Sequence, residues 1–592
     1  MATPIIEVNL RKLGVPIFTA GSREFELSAA TANFLYRYDR PKWVVRPRNG
    51  EDVSTTVRLA NRMSQRVTVK NGGHSYAGFS NSPGGILLDL CDMKAVKIED
   101  EEDTNGDKVM IMSGGALWRD AYHELAIGGP DHDSLIVNGG RCPIVGVSGF
   151  LLGGGFGPFS RSVGMGVDQL VEVDMVTADG NTVTVNEGHN SNSKEGQLFW
   201  ALRGCGGGNY GIVTRLKIRV KKLRDPFVVA GRMTWNVTKD KLAVFQKMMT
   251  DFYTADWDNY LTIDTTWECD LMRSNGDRPF STRFITYYDG KEDDFKNEVN
   301  SKMSSPDPEA DPDGYRYYEE FKKQLIRRSL AEKSTMFFHE TLWAQWSEET
   351  RRFLPSDRAY TLYSSWVIKN DKDRIQEITK IILDQIQEFR KQFSGERGTF
   401  GVTWIHTGGA ISTTGSTVGP YPWRDGNYNI YILVRWHEKW LVKEMGKFFD
   451  ECKKKLKTYA INEYASYVNF PDRRFQGTDW AKAYYGDNVQ KLRKIYTEWN
   501  QNNKVLDFEQ HILRAPPTAV VRVQPFEISK ASVQAAEDIS AEDASGGLGD
   551  ISAEDTSAED AIKQWIDGWE THRPPSRGYA DYLSDGDRLS RC

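Results

Sequence analysis

Two glycine-rich stretches decide how this sequence folds: NGGHSYAG at residues 71–78 and NGGRCPIVGVSGFLLGGGFG at residues 138–157. A third, GCGGGNYGIV, covers residues 204–213. Glycine lets backbone N–H groups approach a phosphate closely, and successive N–H groups form anion-binding nests. One such loop is more typical of a tight turn in a β-rich domain. Three of them together favour a large phosphorylated cofactor.

Two of these loops carry a chemically capable side chain, His74 in the first and Cys142 in the second. Taken alone, the histidine is more typical of a satisfied structural residue and the cysteine of a small buried hydrophobe. Taken together they are an imidazole and a thiolate, and both nucleophiles can attack the electron-poor isoalloxazine ring. The pair is therefore chemically compatible with covalent attachment to a flavin.

The letters GGGNYG at residues 206–211 also fit the dinucleotide fingerprint GxGxxG, in which a strand enters the glycine turn and a helix leaves it. Here the preceding GQLFWALRG is predicted to be a helix and the following IVTRLKIRV a strand. The order is reversed, so no helix N-terminus would face a pyrophosphate. We therefore set a Rossmann-type site aside.

The 592-residue chain has an ordinary globular composition, and its length predicts two or three domains. Lys+Arg 76 against Asp+Glu 82 gives a net charge of −6 without a basic stripe, which argues against a nucleic-acid partner. No run approaches the ~18 apolar residues of a membrane helix. The start shows no secretory signal, so we expect a cytoplasmic protein. The six cysteines form no CxxC pair, which argues against a metal site.

Secondary-structure patterns predict an α+β fold in at least two parts. Up to about residue 220, short β-rich runs alternate with glycine turns, and from about 225 to 460 aromatic strand patterns alternate with amphipathic helices. Residues 535–560 carry many carboxylates and no Lys or Arg, with SAED repeated. That composition predicts disorder there.

These motifs resemble the berberine bridge enzyme-like group of the vanillyl-alcohol-oxidase, or PCMH-type, flavoproteins. Beyond the first two loops, the likeness continues through residues 164–185 and 198–214, then YVNFPD at 467–472 and YYGDNVQKLRKIY at 484–496. The resemblance implies a PCMH-type FAD-binding domain of two β-rich subdomains with flanking helices. It also implies a substrate domain with a large antiparallel sheet covered by helices.

The resemblance, together with the sequence patterns and the composition above, predicts a domain plan. It comprises an N-terminal segment at 1–37, the FAD-binding domain at 38–222, the substrate-binding domain at 223–459, a C-terminal segment at 460–527 that returns to the FAD domain, and an acidic, disordered tail at 528–592.

FAD is the cofactor that the resemblance implies, with His74 bonded to the flavin 8α methyl and Cys142 to carbon 6. Further cofactor contacts are expected along the glycine loops and from one asparagine of YVNFPD. They are Asn71, Gly72, Gly73, Ser75, Tyr76, Gly78, Gly146, Ser148, Gly149, Gly154, Gly208, Gly211, Val213 and Asn469.

Three residues are predicted to act in catalysis. If YVNFPD is a strand, Tyr467 and Asn469 share a face, and the resemblance implies that Tyr467 is the base. Val145 resembles an oxygen gate, where valine is found in oxidases and a bulkier leucine in dehydrogenases. His406 is a reserve base or substrate anchor.

Aromatic residues at strand spacing in the second part could line a substrate cavity, although most would also suit a core. They are Trp404, His406, Tyr428, Tyr431, Tyr363 and Trp366.

The expected activity is that of an FAD-linked oxidase in secondary metabolism. It would oxidise a hydroxyl or amine carbon, or close a ring oxidatively, on a small aromatic or polyketide-like metabolite, with O2 reduced to H2O2. One alternative is a carbohydrate oxidase or dehydrogenase of the same fold. Another is a non-redox cyclase that retains its flavin.

Overall fold

A computed structural model describes residues 5–512 except 82, 102–106, 275, 354–357, 416, 476–478, 501–504, 507 and 509. The chain divides into two compact units, Met1–Pro517 and Thr518–Cys592. The second unit, with the predicted acidic tail, lies outside the described residues. Within the described part, no helix combines the length and apolar character needed to cross a membrane.

Helices and strands alternate along the first unit. The strands are β1 Ile17–Phe18, β2 Trp43–Val45, β3 Val67–Lys70, β4 Ile86–Asp89, β5 Val96–Asp100, β6 Lys108–Ser113, β7 Leu135–Ile136, β8 Leu170–Thr177, β9 Thr182–Asn186, β10 Gly211–Arg219, β11 Lys221–Lys222, β12 Phe227–Val237, β13 Leu261–Asp270, β14 Phe280–Asp289, β15 Ser329–Lys333, β16 Tyr360–Ile368, β17 Gly398–His406 and β18 Tyr428–Trp436.

The helices are α1 Ile5–Lys12, α2 Arg23–Ala29, α3 Gly50–Arg62, α4 Trp118–Ile127, α5 Val147–Leu152, α6 Ser160–Val163, α7 Lys194–Leu202, α8 Leu242–Thr254, α9 Glu292–Lys302, α10 Pro312–Arg327, α11 Ser334–Met336, α12 Leu342–Gln345, α13 Ser347–Arg352, α14 Lys372–Gln392, α15 Ala410–Thr413, α16 Val442–Lys457, α17 Asp479–Tyr485 and α18 Val489–Trp499. A π-helical turn, Phe337–Thr341, separates α11 from α12.

A four-stranded sheet, in the order β1-β2-β4-β3, forms the first β-rich layer. The strand pairs β2–β4 and β3–β4 are parallel. Helix α3 packs on this layer because Val53, Val57 and Ala60 recur on one helical face and are fully buried. Asn49 caps the helix by accepting a hydrogen bond from the Asp52 N–H.

A five-stranded antiparallel sheet, in the order β5-β6-β10-β8-β9, forms the second layer. Helix α7 precedes the glycine-rich turn at residues 206–211, and strand β10 follows it. This helix-then-strand order is the one the sequence predicts, and it is the reverse of a dinucleotide-binding fingerprint.

A seven-stranded antiparallel sheet, in the order β15-β12-β14-β13-β17-β18-β16, dominates the second part of the unit. Helices α8, α14 and α16 cover one face, where Trp366, Trp404 and Tyr428 join their apolar side chains in one core. The opposite face contributes Tyr363 and Tyr431 to the core shared with the glycine loops. Alternation along each strand therefore separates a helix-covered face from a face turned toward the loops.

The C-terminal segment packs back onto the glycine-loop region. The Val67 N–H donates to the Val505 carbonyl at 2.8 Å, and the Tyr485 hydroxyl donates to the Cys205 carbonyl at 2.5 Å. These contacts place Tyr485 and Val505 beside Cys205 and Val67, from which they are distant in sequence.

Candidate active site

A cavity lies where the three glycine loops, the seven-stranded sheet and the C-terminal segment meet. The first two loops touch backbone to backbone, because a Cβ built on Gly72 would stand 2.7 Å from the Gly146 nitrogen and 2.8 Å from the Ile144 carbonyl oxygen. Only glycine permits that approach. The contact brings two loops that are distant in sequence to the same wall.

His74 lines this cavity, and its ring stacks on Phe353 with centroids 3.9 Å apart. Burial, with the nearby charge of Lys70, lowers the pKa of His74 to about 3. The imidazole is therefore neutral at physiological pH, and neutral imidazole is its nucleophilic form.

Cys142 lines the same cavity and is buried. Its Sγ lies 3.5 Å from Thr350 Oγ1, and burial raises the thiol pKa to about 12. The Val145 N–H donates to the Cys142 carbonyl at 3.1 Å, which closes a turn and directs Val145 toward the cavity. The thiol is protonated in this protein, so a bond through sulfur requires loss of that proton.

Arg141 ties the Cys142 loop to the sheet. Its guanidinium binds both carboxylate oxygens of Asp264 on β13 and donates to the Phe156 carbonyl. Both charged groups are buried, and the bidentate geometry compensates much of the cost of removing them from water.

Tyr467 and Asn469 reach the cavity from a turn, so the prediction of a strand for YVNFPD is wrong. The Phe470 N–H donates to the Tyr467 carbonyl at 3.0 Å, which closes the turn. The Tyr467 hydroxyl accepts from the Gly155 N–H at 2.7 Å and from Asn469 Nδ2 at 3.1 Å. The turn therefore brings the two side chains together without a shared strand face.

Two opposing effects act on the Tyr467 hydroxyl. Burial raises its pKa above the ordinary value, whereas the Gly155 and Asn469 donors and the charge of Arg141 oppose the rise. Burial is the larger effect, so the phenol is protonated at neutral pH. The donors still aim at the oxygen, where a phenolate charge would develop.

His406 does not line the cavity, which corrects its assignment as a reserve base or substrate anchor. Its ring stacks on Tyr428 at 5.0 Å, and its Nδ1 accepts the Ile263 N–H at 3.4 Å. The neighbouring Ile405 points into the cavity instead. Strand alternation therefore places His406 on the opposite side of the sheet from the site.

The same alternation divides the aromatic residues expected to line a substrate cavity. Trp404, Tyr428 and Trp366 belong to the helix-covered core, and the Trp404 ring stacks on Tyr253 at 3.9 Å. Tyr431 lines the cavity at the glycine loops, and Tyr363 lines a smaller adjoining cavity.

Most of the predicted cofactor contacts line the cavity at the glycine loops. They are Asn71, Gly72, Gly73, His74, Ser75, Tyr76, Cys142, Gly146, Ser148, Gly149, Gly208, Gly211, Val213 and Asn469. Two glycines do not. Gly78 packs on the ring of Tyr36 and lines the adjoining cavity, and Gly154, at φ +110°, packs on Met165 and turns the chain after α5.

Comparison with known proteins points to one family. A family model described as an FAD binding domain matches residues 41–186, and one described as berberine and berberine like matches residues 466–512. Reticuline oxidase of Papaver somniferum is 24% identical over 488 residues, covering 78% of this chain and 82% of that protein. FAD-linked oxidoreductase easE of Trichophyton verrucosum is 34% identical over 200 residues, covering 33% of this chain and 32% of that protein.

The structure of berberine bridge enzyme from Eschscholzia californica superposes with a TM-score of 0.69 at 21% identity, covering 87% of this chain and 99% of that one. These matches support a berberine bridge enzyme-like FAD-linked oxidoreductase. The likeness confirms the predicted α+β architecture, with a PCMH-type FAD-binding domain and a large antiparallel sheet.

The cavity of this berberine bridge enzyme-like chain fits FAD on its own chemistry. Asn71 Oδ1 is buried at the cavity wall and has no hydrogen-bond partner among the described residues, although Nδ2 of the same side chain donates to Ser148 Oγ at 2.9 Å. A Cβ added to Gly149 would meet nothing within 4 Å, since this glycine borders open space. An unpaired acceptor and an open glycine wall suit a large polar cofactor.

One part of the berberine bridge enzyme-like site was not expected from the sequence. Trp346 and Glu349 line the cavity, Thr350 contacts Cys142, and Phe353 stacks on His74. These residues come from one helical stretch that follows the π-helical turn. No local pattern distinguishes SEETRRF from an exposed helix with alternating charges, so only the tertiary fold reveals it.

Proposed function

We propose that this protein is an oxidase that holds FAD covalently through both His74 and Cys142. It oxidises a hydroxyl or amine carbon, or closes a ring oxidatively, on a small aromatic or polyketide-like metabolite, and O2 becomes H2O2. The observation that carries the proposal is that two nucleophilic side chains from separate loops line one cavity.

The protonation states of His74 and Cys142 predict the order in which their bonds to the flavin form. The neutral imidazole of His74 is ready to bond through nitrogen. The Cys142 thiol must first lose its proton, and the adjacent Thr350 hydroxyl holds the sulfur in place at 3.5 Å. We therefore expect the histidine bond to form before the cysteine bond.

Tyr467 is the residue proposed to move a proton during substrate oxidation. The chemistry that bound FAD supplies is acceptance of a hydride and transfer of two electrons to dioxygen. In its phenolate form, Tyr467 takes the proton that the substrate loses with that hydride, and the Gly155 and Asn469 donors stabilise the phenolate oxygen before it is protonated. Because burial raises the pKa of Tyr467, its phenolate fraction is small at neutral pH and increases as the pH rises.

Val145 supports dioxygen as the acceptor. It lines the cavity three residues beyond Cys142, and its short side chain occupies less space than the leucine that marks dehydrogenases in the family resemblance. The alternative is a dehydrogenase, which passes the electrons to an acceptor other than dioxygen.

The walls favour an aromatic substrate over a sugar. Phe150, Phe156, Trp346, Tyr431 and Phe470 line the cavity. Aromatic side chains bury flat apolar molecules well, whereas a sugar needs many hydrogen-bonding partners. The aromatic walls therefore weigh against the carbohydrate alternative, and retention of both attachment residues weighs against a non-redox cyclase.

The attachment is tested by mass spectrometry of the wild type, His74→Ala, Cys142→Ala and the double variant. Wild-type flavin should remain with acid-precipitated protein, and the peptides that contain His74 and Cys142 should carry the added mass together. Each single variant should keep flavin through the other residue, and the double variant should release all of it to acid. Cys205→Ala is the matched control, because Cys205 is buried outside the cavity.

Acid-extractable flavin in the wild type would contradict the attachment proposal. The oxidase proposal is tested separately, by screening aromatic alcohols and amines for peroxide release and for anaerobic bleaching of the flavin. Bleaching without peroxide release in air would indicate a dehydrogenase instead.

A further inference from the structure

Glu349 is a buried carboxylate at the wall of the cavity where the three glycine loops meet the seven-stranded sheet, called the flavin cavity below. It lies in α13, is 5% exposed, and is the sole Asp or Glu among the described residues that line this cavity. An ionised carboxylate at such a depth is costly unless charges or hydrogen-bond donors compensate it. Its partners therefore indicate what else the cavity can accept.

The two oxygens of Glu349 are compensated unequally. Oε2 pairs with Arg352 Nη1 at 3.0 Å, whereas Oε1 accepts a long hydrogen bond from the Tyr76 hydroxyl at 3.5 Å. Arg352 also binds Glu268, at 2.7 Å. Two carboxylates thus share one guanidinium, and this triad carries one formal negative charge.

The members of the triad line different cavities. Glu349 lines the flavin cavity, whereas Arg352 lines the adjoining cavity. The cation that does line the flavin cavity, Arg141, is already engaged with Asp264 and the Phe156 carbonyl. Glu349 therefore lines the flavin cavity, and one of its oxygens, Oε1, accepts only a long hydrogen bond among the described residues.

The adjacent Glu348 does not add to this charge. It binds Arg232 at 3.0 Å and also pairs with Arg283, and neither Glu348 nor these arginines line the flavin cavity. The excess positive charge of Arg232 and Arg283 over Glu348 therefore lies away from the flavin cavity, whereas the negatively charged Glu349 lines it.

We propose that Glu349 binds the protonated amine of an aromatic substrate and so selects aromatic amines over neutral aromatic molecules. An ammonium donates a charge-assisted hydrogen bond to Oε1, the oxygen with the weaker partner. Trp346 and Tyr431 line the same cavity and can pack on the aromatic part of the substrate or on the cation itself. This specificity role rests on the proposed oxidase function, since it names the substrate class of that site.

The test is calorimetric titration of the flavin-loaded protein with three probes of similar shape: 2-phenylethylammonium, 2-phenylethanol and phenylacetate. In the wild type the cation should bind about tenfold or more tightly than the alcohol, and the anion most weakly. Glu349→Gln keeps the size of the side chain and removes its charge. It should abolish the preference for the cation while leaving the affinity for the alcohol within about twofold.

Two further variants separate recognition from a structural effect. Glu349→Asp should retain a preference for the cation, and Glu340→Gln should behave as the wild type because Glu340 is an exposed carboxylate of the preceding π-helical turn. Equal affinity for cation and alcohol in the wild type would overturn the proposal, as would Glu349→Gln weakening both probes equally. Acid-extractable flavin or absent peroxide release would count against the proposed function without changing the ratio of probe affinities.

Discussion

The two sides of the cavity are built in different ways. On the glycine-loop side, backbone fixes the site: Gly72 packs directly on Gly146, and the Gly155 N–H holds the Tyr467 hydroxyl. On the sheet side, strand alternation decides which side chains enter, so Ile405 lines the cavity and His406 does not.

This difference separates two tasks. The backbone-fixed side carries both proposed attachment residues and the proposed base, and its geometry tolerates little change. The sheet and the helix that contains Glu349 present side chains that can be exchanged without altering a backbone contact. We infer that cofactor attachment depends on the first side and substrate choice on the second.

The largest effect should come from the proposed base. Tyr467→Phe removes the hydroxyl that accepts from Gly155 and Asn469, so we expect the rate of anaerobic flavin reduction to fall by ~10² or more. In the wild type that rate should rise with pH, because burial raises the pKa of Tyr467 and the phenolate is the form that accepts a proton. Stopped-flow measurement of bleaching checks both expectations.

The sheet side supplies the controls for this experiment. His406→Gln and Tyr428→Phe alter polar groups on the helix-covered side of the sheet, so each should leave the reduction rate within about twofold. A rate loss in His406→Gln comparable to that of Tyr467→Phe would show that the two sides are not separated as described.

Replacing a glycine by alanine on each side of the cavity tests whether backbone contacts fix that side. Gly72→Ala would place its Cβ 2.7 Å from the Gly146 nitrogen, so the two loops must move apart. We expect about 1–3 kcal/mol of destabilisation and a loss of bound flavin. Thermal unfolding and the ratio of flavin to protein absorbance measure the two effects.

Gly401→Ala is the matched change on the sheet side. The nearest atom to its Cβ would be the Trp267 carbonyl oxygen at 3.8 Å, an ordinary contact. Its unfolding temperature and flavin content should match the wild type. If Gly72→Ala also matched the wild type, the loops would not be fixed by their backbone contact.

The sequence predicts the two sides unequally, for a physical reason. The glycine loops are local motifs, so His74, Cys142 and Asn71 could be assigned to one cofactor site before any fold was known, and all three line the cavity. On the sheet, spacing shows that Trp404 and His406 share a face, but it does not show which face meets the cavity. That choice depends on which side the helices α8, α14 and α16 cover, which is a tertiary property.

Tyr467 and Glu349 mark two other limits of the sequence. YVNFPD alternates like a strand, but a closed turn brings Tyr467 and Asn469 together. Glu349 lies in a short helix whose charges look like those of an exposed surface, and it becomes a cavity residue only because that helix packs over the Cys142 loop. The motifs indicated the family, whereas the side chains proposed to contact the substrate could be found only from the fold.

The final prediction compares the two attachment residues within the backbone-fixed side. Apoprotein from riboflavin-deprived cells is mixed with FAD between pH 7 and 9, and the mass of each attachment peptide is followed with time. Because the pKa of His74 is lowered to about 3, its imidazole is neutral across this range, and its bond should form at a constant rate. Because the pKa of Cys142 is raised to about 12, its thiolate fraction, and hence its rate, should rise about tenfold per pH unit.

Two variants isolate these rates. His74→Ala leaves the cysteine bond alone and should keep its steep pH dependence, whereas Cys142→Ala leaves the histidine bond alone and should keep none. Thr350→Val removes the hydroxyl 3.5 Å from the Cys142 sulfur and should slow the cysteine bond without affecting the histidine bond. A cysteine bond that formed at the same rate from pH 7 to 9 would mean that FAD binding itself lowers the pKa of the thiol, so that the bound cofactor rather than the protein alone determines its reactivity.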